Sequence, residues 1–154
     1  MKTSASASLV VVLLTAASVQ TAGGNDSCPQ CDEVVRRAVA LLPAPPSLVI
    51  VLDVNEQPRA LQQKLENVDA FVVPGERTIY LTKQGSAFRH ALERGGIRDF
   101  MLAATIWHEM AHLEGADEQE ARQLEERLWR QFITARQVES THGLAYLARL
   151  RERR

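Results

Sequence analysis

Between Gly96 and Gly115 the chain has no proline or glycine, and in its second half stands His108-Glu109-Met110-Ala111-His112. A run without breakers predicts a helix over Phe100 to Leu113, with Asp99 able to cap its start and Gly115 placed where a helix end takes a left-handed residue. On that helix, positions i and i+4 lie on one face about 6 Å apart, so His108 and His112 can present both imidazoles to one metal ion. Glu109, rotated about 100° from His108, is turned toward a water on such an ion and away from the ion itself. This is the layout of a zinc-dependent hydrolase. The pattern alone arises by chance in roughly one chain in a hundred of this composition, so the flanking residues must supply the rest of the site.

Catalytic zinc keeps three protein ligands and leaves the fourth position open. The acids that follow His112 are Glu114, Asp117, Glu118 and Glu120. Glu114 falls on the wrong side of the same helix. Asp117 and Glu120 fit a capping box, in which the Asp117 side chain accepts from the amide three residues on and Glu120 reaches back. That leaves Glu118 free to point at the metal once the chain reverses at Gly115. Glu118 is favoured as third ligand, with Glu120 and then Asp117 as alternatives. His142 and Tyr80 are candidates to steady an oxyanion. His142, near a helix start, reads more readily as a cap or surface residue than as a catalytic one, and His90, on a short helix among charges, reads as solvent-exposed.

The first residues carry one positive charge at Lys2, then an apolar run from Leu9 to Ala17, then small and polar residues to Ala22. Such a run is too short to span a bilayer and has the size of a signal-peptide core, so residues 1–22 read as a leader and the protein as secreted or periplasmic. The remaining residues fit one domain, and none of their segments reaches the length of a membrane span. A formal net charge of −1, with acids and bases mixed along the chain and a basic cluster only at Arg149, Arg151, Arg153 and Arg154, argues against a nucleic-acid surface. Residues 23–47 form an exported N-terminal segment with Cys28-Pro29-Gln30-Cys31 and a helix expected over Asp32 to Leu42. In an exported protein a pair this close is expected to close a small disulfide. The alternative, a thiol-exchange site, lacks the strand that would feed a thioredoxin-type motif.

Pro43, Pro45 and Pro46 break the chain before a strand over Ser47 to Leu52. A short helix is expected from Arg59 to Glu66, then a hairpin of Ala70–Val73 and Thr78–Thr82 around Pro74-Gly75-Glu76-Arg77. Gly85 to Arg94 reads as another short helix, ended by Gly95-Gly96. Beyond the HExxH helix, Ala121, Leu124, Leu128, Phe132 and Ala135 recur at threes and fours as one apolar stripe, and Leu144, Leu147 and Leu150 form a shorter one. Residues 48–154 are thus expected to be one α+β domain: a short β-sheet with a hairpin edge strand, the active-site helix, and two C-terminal packing helices.

The segment Val68-Asp69-Ala70-Phe71-Val72-Val73-Pro74-Gly75, followed by Ile79-Tyr80-Leu81-Thr82-Lys83, resembles the NAFxxPGG-x-IYVTRG stretch of the zinc metallopeptidases typified by the CAAX prenyl protease and the bacterial membrane heat-shock protease. Glu118-Gln119-Glu120-Ala121 likewise resembles that family's Glu-x-x-Ala. The resemblance, over residues 66–122, implies a zincin-like fold whose edge strand lies along the cleft. It also implies zinc on His108, His112 and Glu118, with Glu109 as general base in peptide hydrolysis. Three features differ: a turn one residue longer, Arg122 where the family has aspartate, and five residues between His112 and Glu118 where the family has a long helical insertion. The Gly115 and Glu118 spacing also matches zincins with HExxHxxGxx before the last ligand. A minimal, exported glutamate-zincin acting on a peptide or protein substrate is the expectation. A non-catalytic, zinc-containing binding or regulatory module is the alternative, favoured by small size and by Arg122.

Overall fold

The computed structural model describes residues 28–152, so the expected leader and the last two arginines lie outside the described residues. The chain is α+β. Its helices are α1 (Pro29–Val39), α2 (Arg59–Leu65), α3 (Ser86–Arg94), α4 (Ile97–Leu113), α5 (Glu118–Thr134) and α6 (Ser140–Glu152), and its strands are β1 (Val49–Leu52), β2 (Ala70–Val72) and β3 (Ile79–Thr82). Among the described residues no helix is long and apolar enough to cross a membrane.

The three strands form one sheet in the order β1-β3-β2. β2 and β3 are the expected antiparallel hairpin, with Phe71 opposite Tyr80 and their rings stacked 5.1 Å apart. β1 pairs with β3 in parallel, Val49 opposite Ile79, which needs the long crossover that α2 and β2 provide. Alternation along β3 sends Ile79 and Leu81 into the core, where they join Leu102 and Ile106 of α4. Among the described residues β2 pairs only with β3, so its outer edge remains a strand edge there.

α4 is the central helix, and it starts three residues earlier than the sequence suggests. Gly95 and Gly96 both take φ +58°, a conformation open to glycine at little cost, and this sharp reversal lets α4 follow α3 at once. Asp99 is therefore not the cap. It lies buried in the first turn, where it accepts from Arg37 Nε and a terminal guanidinium nitrogen at 3.1 Å each, tying α1 to α4. α1 likewise starts early, at Pro29 in place of Asp32, and ends at Val39 in place of Leu42. Proline suits the first helical position, and Cys28, disulfide-bonded to Cys31, accepts from the Cys31 amide as the cap. Cys31, Val34 and Ala38 share the core of the sheet and α4.

The last two helices pack around Trp129, which is fully buried, stacks on Tyr146 at 4.1 Å and donates from Nε1 to the Gly143 carbonyl at 2.9 Å. The expected stripe of α5 holds through Phe132, but Ala135 lies past the helix end and is exposed. On α6 the stripe is shifted: Leu144 is 59% exposed, whereas Gly143 and Leu147 are buried and Leu150 is half-buried. The cause is the close approach at Gly143, where a Cβ would stand 2.5 Å from Ile133 Cγ1. Only a residue without a side chain lets α6 roll this face inward.

Gly85 is a second position set by space. An added Cβ would meet the Asp69 backbone at 2.9 Å and Thr82 Oγ1 at 2.5 Å, and the backbone cannot swing away as a side-chain tip can. Gly85→Ala is expected to destabilise the fold by about 1–3 kcal/mol, measured by denaturant unfolding. The same change displaces residues 67–70, which form a wall of the cleft described next.

Candidate metal centre

The last two turns of α4 carry His108 and His112 on one face, as the i, i+4 spacing requires. The helix ends at Leu113, Gly115 takes φ +93°, and the chain reverses into α5. There Asp117 accepts from the Glu120 amide at 2.8 Å while Glu120 reaches back to the Asp117 amide at 3.2 Å, so both members of the capping box are engaged. Glu118, the first residue of α5, turns to the histidines. Its Oε2 lies 3.5 Å from His108 Nε2 and 3.3 Å from His112 Nε2, and the two Nε2 atoms are 3.1 Å apart. Glu114, the residue just after α4, is exposed.

Those three separations test whether an ion fits. A tetrahedral ion with bonds of about 2.0–2.1 Å spaces its donors about 3.3–3.4 Å apart, and the observed edges straddle that value. The tautomers agree. His112 Nδ1 lies 3.0 Å from the Ala116 carbonyl oxygen, which can only accept, so Nδ1 carries the proton and Nε2 a bare lone pair. His108 Nδ1 faces the Glu125 carboxylate at 3.2 Å, with the same consequence. With both rings neutral, two nitrogen lone pairs and a carboxylate oxygen converge on one point, where a cation would satisfy all three. The mixed nitrogen and oxygen donor set suits zinc.

Glu125 is the residue of this cluster that the sequence reading missed. It is 7% exposed, and its second oxygen accepts from the Tyr146 hydroxyl at 2.8 Å. A carboxylate behind a ligating imidazole fixes the ring and its tautomer. The signal was present: Glu125 falls on the apolar stripe between Ala121 and Leu128, four residues after one and three before the other, where an acid has no place unless it is paired.

The electrostatics follow from this crowding. Burial lowers the His108 imidazole, but the hydrogen bond and charge of Glu125, with Glu109 and Glu118 beyond, outweigh it and leave the pKa raised when no ion is present. Burial raises the Glu109 carboxyl; His108 and His112 oppose this, Glu118 and Glu125 add to it, and the net is upward. Glu118 moves the other way. Its partial burial is outweighed by the 2.6 Å bond from Arg122 Nε and by the two histidines, and it stays below the usual carboxylate range. Arg122, standing where the resemblance had aspartate, therefore holds the carboxylate in its charged form.

A cleft of about 600 Å³ lies over this face of α4. His108, Glu109, Thr105, Met101 and Arg98 line it, with residues 67–70 leading into β2, the start of α3, and Tyr146 and Leu150 of α6. Neither oxyanion candidate from the sequence is among the lining residues. Tyr80 donates to Glu76 at 2.7 Å, and that bond pushes its phenol up to about 12. His142 is exposed and faces Glu139 at 2.9 Å. His90, expected at the surface, is instead half-buried and lines the cleft. Compared with known proteins, the chain matches no family model, no curated protein and no solved structure.

Proposed function

We propose that the protein is an exported zinc metallopeptidase of the glutamate-zincin type, with His108, His112 and Glu118 as metal ligands and Glu109 as general base. The observation that carries this reading is the convergence of three bare donor atoms, at the edges a tetrahedral ion requires, beside a buried glutamate that belongs to none of them. A structural site has no use for such a carboxylate. The Cys28–Cys31 disulfide supports export, since such bonds persist in oxidising compartments.

Zinc bound there supplies a Lewis acid that polarises a carbonyl and lowers the pKa of water to about 7. Glu109 opens onto the same cleft and accepts the proton of the attacking water on its carboxylate, then delivers it to the leaving amine. Its raised pKa brings it closer to the working pH, where acceptance and return of a proton are both accessible. Tyr146 also lines the cleft, but its hydroxyl donates its one proton to Glu125, so it serves the centre through that carboxylate. The outer edge of β2 offers main-chain groups to an extended chain, so the substrate is a peptide or an unfolded protein.

The test is the zinc content of the purified mature protein together with cleavage of an unfolded protein. About one zinc per chain with cleavage is expected. Zinc without cleavage replaces the peptidase with a binding module, and no zinc removes the site.

Two variants separate neighbouring acids. Glu118→Gln should strip zinc from the protein under mild chelation, whereas Glu120→Gln should keep zinc and cost on the order of 1 kcal/mol of stability by disturbing a cap. The reverse pattern moves the ligand two residues along. Glu125→Gln removes the charge behind His108 and should weaken zinc affinity about 10–100-fold, measured by competition with a chromogenic chelator.

A further inference from the structure

We infer that the cleft is built for a peptide carrying a carboxylate four to five residues from the bond to be cut, with Arg98 as its receptor. This rests on the peptidase reading above and names the substrate class of the same site.

Arg98, Met101, Thr105 and His108 lie at spacings of three, four and three along α4 and share the face that lines the cleft. Arg98 stands ten residues before His108, about 15 Å along the axis at a rise of 1.5 Å per residue. An extended peptide advances about 3.3 Å per residue, so a chain laid along α4 reaches Arg98 with its fourth or fifth residue from the metal.

Arg98 is half-buried, and among the described residues the one hydrogen bond of its guanidinium goes to the Met101 thioether, at 3.4 Å. A thioether is a weak acceptor, and four of the five N–H donors remain uncommitted. Arg37 and Arg122, the other half-buried arginines among the described side chains, each face a carboxylate, Asp99 and Glu118. No acid of the cleft serves Arg98 in this way. Of the four that line it, Glu109, Glu118 and Glu125 belong to the metal centre. The fourth, Asp69, accepts from the Ala87 amide at 3.0 Å and from the Ser86 hydroxyl. His90, beside them, adds no negative charge. A cation removed from much of its water and left without a counter-charge, at the end of a substrate cleft, selects an anion, and the planar fork of arginine matches a carboxylate in two bonds.

The carboxylate has two sources, a side chain or a C-terminus, and peptidyl hydroxamates separate them. The hydroxamate anchors one end on the zinc, and probes are made with it at either end of the peptide. The fourth or fifth residue from it is Glu, Gln, or the chain end as acid or amide. Affinity for the zinc-loaded protein is measured by fluorescence anisotropy. At least one acid probe is expected to bind about 10-fold or more tighter than its neutral partner, and Arg98→Met should abolish that difference while leaving zinc content and the affinity of the neutral probe unchanged. A Glu-only preference assigns an acidic side chain, and an acid-terminus preference assigns a C-terminus. Equal affinity for acid and neutral probes, no binding of any probe, or a preference that survives in Arg98→Met overturns the inference. Because binding is read without turnover, an Arg98-dependent preference in a protein that cleaves nothing would remove the peptidase reading and leave the anion receptor standing.

Discussion

Glu109→Gln should lower turnover at least about 100-fold while the protein keeps its zinc and its fold. Three facts set that expectation. The side chain is 9% exposed, so the isosteric amide fills the same space without a cavity. It is not one of the three converging donors, so the metal loses nothing. And an amide cannot accept a proton from water at neutral pH, so the one step assigned to this residue is lost. Steady-state cleavage of an unfolded protein by variant and wild type, each with measured zinc, gives the comparison. Comparable turnover in the two would remove Glu109 from the chemistry, and loss of zinc in the variant would make it a ligand.

The second large effect is on the metal itself. His112→Ala deletes one corner of the donor triangle, whose remaining pair, His108 Nε2 and Glu118 Oε2, is 3.5 Å apart. Zinc should fall from about one per chain to near zero after dialysis against a chelator, because binding free energy is summed over ligands held in place together. The fold should survive the change, since His112 is half-buried and is not part of the core cluster. Elemental analysis with far-UV circular dichroism on the same sample separates loss of the ion from loss of the protein. Full zinc in His112→Ala would dismiss the centre altogether.

Much of this arrangement was legible in residue order, and the parts that were not have a common cause. Periodicity and breakers located the three strands and the first four α-helices to within three residues because they are local, whereas the 3-10 turn at Val54–Glu56 carries no such signal and was not expected. The capping box at Asp117 and the approach of Glu118 were readable for the same reason. The starts of α1 and α4 were not, because proline at the first helical position and paired left-handed glycines allow a helix to begin where the sequence only signals a break. Asp99 looked like a cap until Arg37, 62 residues away, turned out to be its partner. Leu144 read as core because a stripe fixes a face only up to rotation, and it is the contact of Gly143 with Ile133 that sets the rotation. Glu125 and Tyr146 were overlooked since their role depends on how α5 and α6 lie against α4, a matter of tertiary packing.

All three donor atoms come from positions 108 to 118, a helix end, a tight reversal and a helix start. Closing so short a loop costs little chain entropy compared with the parallel pairing of β1 and β3, which joins residues 30 positions apart. Metal capture can therefore come early in folding, with α4 and α5 clamped as a unit before the sheet is complete. On the reading proposed above, of an exported chain that binds zinc, the ion would serve as a nucleus as well as a reagent, and folding begun with zinc present should outpace folding begun without it.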